Sequence, residues 1–220
     1  MEKNILLHLL HHFSPPREVM AAPSCKRTVV IIHGAYGNPD GNWFPWLAEQ
    51  VRGMGHTARI PHLPTPGGQN LETWKAAFRQ QVGVLTKDTV LVGHSLGAGF
   101  ILNLLEETRT PVLGTFLVSG FLGKLGQDTF DSINASFVCR NFEWQHIRRA
   151  AGEIHIYNSD NDPYVPLARG KELSKNLGTA LTVIKKGGHI NAEAGFRHFL
   201  PLLEDLRPLL FKGMGQLTRE

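Results

Sequence analysis

Residues 89–97 read TVLVGHSLG, and this stretch decides the fold. Its first four residues are β-branched or aliphatic, which is typical of a strand buried on both faces of a sheet. The remainder fits the pattern G-x-S-x-G at the point where a strand turns sharply into a helix. A Cβ two residues before or after Ser95 would collide inside such a turn, so glycine is needed at Gly93 and Gly97. The pattern predicts that the Ser95 hydroxyl projects beyond the end of the strand, at a helix N-terminus.

Strand-like and helix-like segments alternate around this turn. Runs rich in β-branched residues predict six strands, at residues 27–34, 57–63, 89–94, 112–120, 153–159 and 180–187. Apolar residues at helical spacing predict helices at 42–54, 70–82, 96–107, 142–150, 165–177 and 191–210. Such alternation favours right-handed crossovers and a six-stranded, mainly parallel sheet in a three-layer α/β/α sandwich. We expect a single domain over residues 27–220, preceded by a poorly ordered N-terminal extension over residues 1–26.

Composition limits the function classes. The 220 residues are 42% hydrophobic, which suits one domain with a sizeable core, and no apolar run approaches the ~18 residues of a membrane span. The net charge is +4, but the basic residues are scattered and form no nucleic-acid-binding stripe. Cys25 and Cys139 are too few for a disulfide framework, so we expect reduced thiols in a cytoplasmic protein. Lys3 and the small residues near position 21 loosely fit a signal peptide, which leaves secretion as the alternative.

A base for Ser95 is expected among the residues that follow the strands, because ligands of open parallel sheets bind at the carboxyl ends of the strands. A serine hydroxyl needs a neutral imidazole to take its proton and a carboxylate to orient that imidazole. Of the 11 histidines, His189 directly follows the last predicted strand, so its ring can reach over the strand ends. We predict His189 as the base and interpret His33, beside the first strand, as a structural turn residue.

The carboxylate is expected after the fifth strand, which gives the chain order Ser, Asp, His. Asp162 is the favoured candidate because Pro163 fixes a turn directly after it. Asp160 in the same loop is the first alternative. Asp128 and Asp131, after the fourth strand, remain open as well.

Two backbone N–H groups are needed to stabilise an oxyanion, one after the nucleophile and one after the first strand. We predict Leu96 and Ala35, with Tyr36 next in line for the second position. The glycine-rich loop over residues 34–40 lacks G-x-G-x-x-G and the Walker pattern, so nucleotide binding is not expected. Aromatic residues near the strand ends are candidates for a substrate pocket, with core packing as the alternative for each: Tyr36, Trp43, Phe44, Phe121 and Trp144.

Four short segments lie at the predicted strand ends, in this order along the chain: HGAYGN at 33–38, GHSLGAG at 93–99, SDNDPYVP at 159–166 and GGHIN at 187–191. With these segments the chain, over about residues 27–212, resembles the α/β-hydrolase superfamily. Its small size and the segment FVCRNFEWQHIRRA resemble a compact subgroup of serine hydrolases typified by retinoblastoma-binding protein nine and similar bacterial proteins. The resemblance implies strand order 2-1-3-4-5-6, little lid, no cofactor, and Ser95, Asp162 and His189 as the catalytic triad.

One departure from this subgroup limits the partners. Retinoblastoma-binding protein nine is named for an L-x-C-x-E segment that binds a tumour-suppressor pocket protein. The corresponding residues 85–89 read LTKDT, with neither the cysteine nor the glutamate. We therefore carry over no pocket-protein binding.

Together these observations predict a serine hydrolase without a metal or cofactor. It would cleave an ester, thioester or amide in a small-molecule or acylated substrate, through an acyl-enzyme on Ser95. Two alternatives stay open: an acyltransferase that uses the same triad, and a binding or scaffold protein that has kept the fold without turnover.

Overall fold

The computed structural model describes residues 26–213, so the expected N-terminal extension lies outside the described residues apart from Lys26. The strands are β1 (Thr28–Ile32), β2 (Thr57–Arg59), β3 (Thr89–His94), β4 (Gly114–Val118), β5 (Glu153–Ser159) and β6 (Leu181–Ile184). The helices are α1 (Phe44–Gly53), α2 (Leu71–Gln81), α3 (Leu96–Glu107), α4 (Asp128–Val138), α5 (Trp144–Ala150), α6 (Leu167–Leu177) and α7 (Leu200–Phe211).

The six strands form one parallel sheet in the order β2-β1-β3-β4-β5-β6, which confirms the predicted fold class and strand order. The register aligns Ile32 of β1 with Gly93 of β3, and His94 of β3 with Val118 of β4. The carboxyl ends of the three central strands are therefore level with one another. The loops that follow them meet at one edge of the sheet, where parallel sheets bind ligands.

The strands are buried on both faces because alternate side chains enter two separate cores. Val29 and Ile31 pack with α1 and α7 on one face, while Val30 and Ile32 pack with the helices α2 to α6 on the other. All four side chains are fully buried. Each contributes on the order of 1.5–3 kcal/mol to folding, so the continuous apolar strands predicted from the sequence are the centre of the molecule.

Two helix predictions need correction. Helix α4 was not predicted, although Phe130, Ile133 and Phe137 stand at helical spacing in its sequence. The closing helix begins at Leu200, whereas residues 191–210 were predicted. The chain makes further turns before it, and Gly195 has φ 87°. Pro201 lies in the first turn of the helix, where its missing N–H and fixed φ are tolerated, and Pro208 lies inside the helix.

Within residues 26–213, no helix is both long enough and apolar enough to cross a membrane.

The start of α3 is packed directly on the backbone of β1. A Cβ on Gly97 would overlap the carbonyl oxygen of Ile32 and lie 2.8 Å from the carbonyl oxygen of His33. Both contacts are with backbone at the centre of the sheet, so neither can move without shifting β1. The close approach of helix and strand therefore requires glycine at this position.

We expect Gly97→Ala to destabilise the fold by about 1–3 kcal/mol, the usual cost of overpacking, or roughly 3–10 °C in the midpoint of thermal unfolding. Gly53→Ala is the matched control, because a Cβ there meets nothing within 4 Å. Its midpoint should stay the same or rise slightly. Equal midpoints for the two variants would contradict this description of the α3–β1 contact.

Candidate active site

Ser95 lies at the turn between β3 and α3 in a rare backbone conformation, with φ 56° and ψ −121°. Its N–H donates to the carbonyl oxygen of Val118 at 2.8 Å, which ties the turn to β4. Glycines surround the turn: a Cβ on Gly93 would lie 2.7 Å from the Gly97 carbonyl oxygen, and one on Gly34 would lie 2.8 Å from the Ser95 Cβ. The predicted strand-turn-helix therefore forms, and Ser95 lines a cavity at the edge of the sheet.

His189 and Asp162 meet at the same edge, one from the turn after β6 and the other from the loop after β5. The His189 Nδ1 donates to the Asp162 Oδ2 at 2.7 Å. The other carboxylate oxygen accepts from the N–H groups of Tyr164 at 2.8 Å and Val165 at 3.0 Å. The Asp162 side chain is fully buried. With the proton on Nδ1, the neutral ring keeps its Nε2 lone pair available as a base.

The Ser95 hydroxyl and the His189 ring line one cavity, although the hydroxyl makes no hydrogen bond in the described structure. Hydrogen bonds between a nucleophile and its base are often long in the absence of substrate and tighten in the Michaelis complex. The structure thus brings together the three side chains that the sequence selected.

The three other candidate carboxylates make no hydrogen bond to His189. Asp160 is exposed and accepts the backbone N–H of the turn after β6 at 2.7 Å. Asp131 accepts from Leu125 and the next two backbone N–H groups, at 2.7, 2.9 and 3.1 Å. These hydrogen bonds, that from Leu125 above all, hold the pKa of Asp131 below its usual value. Asp128 begins α4. Of the four candidates, Asp162 alone is hydrogen-bonded to the His189 ring.

The candidate oxyanion donors differ in whether their N–H groups are already used. The N–H of Tyr36 donates to Thr65 Oγ1 at 2.7 Å. The N–H groups of Leu96 and Ala35 have no acceptor within the described part of the chain. Ala35 lines the cavity beside Ser95. The geometry thus favours Ala35 over Tyr36 as the second donor.

Hydrogen bonds to the preceding carbonyl also fix the direction of the Ala35 N–H. The Gly34 carbonyl, which belongs to the same planar peptide, accepts from His33 Nδ1 at 2.8 Å and from the Gly37 N–H at 3.1 Å. The His33 Nε2 in turn accepts from the Leu63 N–H at 3.1 Å, so the neutral ring carries its proton on Nδ1. Burial lowers the pKa of His33 and keeps it in this neutral form. His33 is the turn residue that the sequence predicted, and it orients a peptide of the site.

The cavity has a volume of about 450 Å³ and combines aromatic, amide and acidic surface. Among its lining residues, the rings of Tyr36 and Phe130 stack, 5.9 Å apart at 26°. Tyr164 meets the His189 ring edge to face at 5.1 Å and donates its hydroxyl proton to Glu193 at 3.0 Å. Among residues 26–213, no group of three or more His, Cys, Asp or Glu side chains is arranged to hold a metal ion.

Four of the five aromatic pocket candidates predicted from the sequence do not line this cavity. Trp43 is fully buried and donates its indole proton to the Ile190 carbonyl at 2.9 Å. Phe121 is buried in the same core as the apolar side chains of α3. Trp144 lines a second cavity, of about 760 Å³, which contains none of the three catalytic candidates. Trp43 and Phe121 pack in the core, which was the alternative considered for each candidate, and Phe44 is buried as well.

Sequence reasoning missed two aromatic residues of the cavity. Phe130 belongs to α4, and the helical spacing of its apolar residues was the signal that could have placed it. Tyr164 lies within the segment SDNDPYVP but was given no role. Its position two residues after Asp162 brings its ring over the imidazole that this carboxylate orients.

A parallel six-stranded sheet in this order, with a serine in a strained turn after β3, defines the α/β-hydrolase class of protein. Residues 29–206 match the family model described as serine hydrolase, and the chain belongs to this family. The resemblance seen in the sequence motifs is thereby confirmed.

Similar proteins include YdeN of Bacillus subtilis (strain 168), whose name describes a hydrolase. It is 33% identical over 182 residues, which cover 82% of this chain and 94% of YdeN. The serine hydrolase RBBP9 of Rattus norvegicus is 24% identical over 173 residues, 77% of this chain and 89% of RBBP9. The crystal structure of the ydeN gene product gives a TM-score of 0.78 at 31% identity, covering 85% of this chain and 100% of that one. The structure of esterase PE8, at 19% identity and a TM-score of 0.57 over 84% of this chain and 93% of its own, shares the fold.

Proposed function

We propose that this serine hydrolase cleaves an ester, thioester or amide through an acyl-enzyme on Ser95. The observation that carries the proposal is the 2.7 Å hydrogen bond from His189 Nδ1 to a buried carboxylate of Asp162, in the cavity that Ser95 lines. It leaves the imidazole oriented and its Nε2 free to accept a proton. Membership of the serine hydrolase family supports the same chemistry.

In the first half of the reaction, Ser95 Oγ attacks the substrate carbonyl carbon while His189 Nε2 takes the hydroxyl proton. The Asp162 carboxylate stabilises the imidazolium that forms. The proton then passes to the leaving alcohol, thiol or amine as its bond to the carbonyl breaks. In the second half, water attacks the acyl-enzyme by the same route, which releases the acid and restores Ser95.

The negative charge that develops on the carbonyl oxygen is taken up by the N–H groups of Leu96 and Ala35. Neither has an acceptor within the described structure, so both are free to bind the oxyanion. Leu96 also begins α3, and the N-terminus of a helix favours negative charge. A donor of this kind contributes on the order of 3–4 kcal/mol to the transition state.

The substrate class follows from the lining of the cavity. The stacked rings of Tyr36 and Phe130 offer an apolar wall to an acyl or aromatic group. The Glu193 carboxylate, which also lines the cavity, is exposed, and no lysine or arginine lines the described cavity. The site therefore suits small uncharged or cationic substrates better than anionic ones.

We expect Ser95→Ala to abolish ester hydrolysis and labelling by a fluorophosphonate probe, because both need the Ser95 hydroxyl. Asp162→Asn should lower kcat by about 10³- to 10⁴-fold, because the amide cannot hold the imidazole in its reactive tautomer.

Asp160→Asn and Ser132→Ala are the matched controls. Asp160 lies in the same loop as Asp162 and accepts the N–H of Lys186 in the turn after β6, and the amide oxygen of asparagine can keep this hydrogen bond. Ser132 is an exposed serine of α4. Both variants should keep wild-type rates and labelling. Labelling of Ser95→Ala, or equal losses in Asp160→Asn and Asp162→Asn, would overturn the proposed mechanism.

The substrate preference is tested with a pair of esters of equal size, one uncharged and one carrying a carboxylate. We expect the uncharged ester to have the higher kcat/KM, since a carboxylate near Glu193 costs about 1 kcal/mol at such a solvated site, roughly fivefold. Glu193→Gln should narrow this gap by raising kcat/KM for the anionic ester alone. If the difference in kcat/KM between the two esters is the same in Glu193→Gln as in the wild type, Glu193 does not select substrates.

A further inference from the structure

The turn that carries His189 lies between β6 and α7 and belongs to no helix or strand. Its backbone is contorted, since Lys186, Gly188 and Ile190 have φ values of 54°, 53° and 49°. Such conformations are unfavourable for residues other than glycine and persist only where the surroundings enforce them. What holds this turn therefore decides where the His189 ring stands.

Side chains from the end of β5, from the loop that follows it and from the loop after β1 hold the turn on either side of His189. Ser159 Oγ accepts the N–H of Gly187 at 2.9 Å, and Asn161 Oδ1 accepts the N–H of Gly188 at 2.8 Å. On the other side, the Trp43 indole donates to the Ile190 carbonyl at 2.9 Å. Trp43, predicted as a pocket residue, thus acts on the site from within the core.

His189 itself is held by two donors to its carbonyl oxygen. Ser119 Oγ, after β4, donates at 3.1 Å, and His94 Nε2 donates at 2.9 Å. The His94 ring also packs against the His189 ring, with centroids 4.8 Å apart at 66°. Among these holding side chains, His94 both fixes the backbone of His189 and contacts its imidazole.

His94 is also the residue that precedes Ser95. Its own backbone lies in β3, paired with Val118 of β4, so its position is set by the centre of the sheet. The same short segment therefore carries the nucleophile and holds the base, although the two residues are 94 positions apart in the chain (95 to 189).

We propose that His94 is a positioning residue for the hydrolysis, which sets the His189 ring against Ser95 through its hydrogen bond to the His189 carbonyl and its ring contact. This inference rests on the proposed role of His189 as the base. It assigns His94 no contact with the substrate and no proton transfer.

The surroundings of His94 suit this role. Its ring lies in an aromatic pocket against Trp43, at 6.1 Å, and Phe44, at 5.8 Å. Burial, and then the neighbouring His189, lower the pKa of His94 to about 3. The ring thus stays neutral at working pH with its proton on Nε2. It places no positive charge beside the imidazolium that His189 becomes during the reaction.

Two substitutions separate the hydrogen bond from packing. His94→Phe keeps an aromatic ring in the pocket and loses the donor, while His94→Gln offers an amide N–H at the reach of Nε2. We expect His94→Phe to lower kcat by about 10²-fold, the effect of a small displacement of a catalytic group, with KM changed less than threefold. His94→Gln should recover most of that loss.

His56→Phe is the matched control. His56 is another buried histidine with a hydrogen bond, from the Arg27 N–H at 3.2 Å, and an edge-to-face ring contact with Phe211. His56 precedes β2, an outer strand, and so lies at the amino end of that strand, away from the carboxyl ends that carry the site. Its substitution should lower the midpoint of thermal unfolding without changing kcat. A second readout is the downfield proton resonance of the hydrogen bond between His189 Nδ1 and Asp162, which should shift or broaden in His94→Phe and stay unchanged in His56→Phe.

His189→Ala distinguishes a failure of the proposed function from a failure of the positioning role of His94. If it retains activity, His189 is not the base and the proposed function fails. If it is inactive while His94→Phe keeps the wild-type kcat and the downfield resonance, the mechanism stands and the positioning role of His94 is refuted. Equal kcat losses in His94→Phe and His94→Gln would also refute it, because the donor would then not matter.

Discussion

The turn at Ser95, with φ 56° and ψ −121°, is the constraint on which the rest of the site depends. A non-glycine residue in such a conformation costs on the order of 1–3 kcal/mol. The buried β3 strand and the packed start of α3 enforce it, because Gly93 and Gly97 let helix and strand approach to backbone contact. The turn places the serine side chain at the cavity and the Leu96 N–H at the start of α3, so the proposed nucleophile and the proposed oxyanion donor come from one piece of backbone.

Backbone strain is concentrated at this edge of the sheet. Every non-glycine residue with a left-handed φ among residues 26–213 follows β1, β3, β4 or β6 at its carboxyl end: Tyr36, Asn42, Ser95, Ser119, Lys186 and Ile190. Side chains from neighbouring loops hold these turns, as Trp43 holds Ile190 and Thr65 holds Tyr36. The two apolar cores supply the rigidity that sustains the strain. The arrangement fixes three side chains from distant parts of the chain.

The sequence predicted what depends on local pattern and on the rules of parallel sheets. The strands were recognisable because continuous apolar runs are needed where both faces are buried. Ser95 was predicted from the G-x-S-x-G pattern, and Asp162 and His189 from the rule that the loops of a parallel sheet meet at the carboxyl ends of its strands. The aromatic pocket residues were not predictable in this way, because burial depends on which face of a loop meets the core. Trp43 follows β1 closely, yet its indole turns inward to the Ile190 carbonyl. Phe130 was missed with α4, whose length and position depend on packing against α3.

The most direct test of the central claim is a crystal structure of the protein after reaction with a fluorophosphonate, whose adduct resembles the tetrahedral intermediate. We predict the phosphorus bonded to Ser95 Oγ, one phosphonyl oxygen about 3 Å from the N–H groups of both Leu96 and Ala35, and His189 Nε2 within hydrogen-bonding distance of the adduct. An adduct on another residue would contradict the account. So would a phosphonyl oxygen bound by the Tyr36 N–H in place of Ala35, or a His189 ring that turns away from the phosphonate.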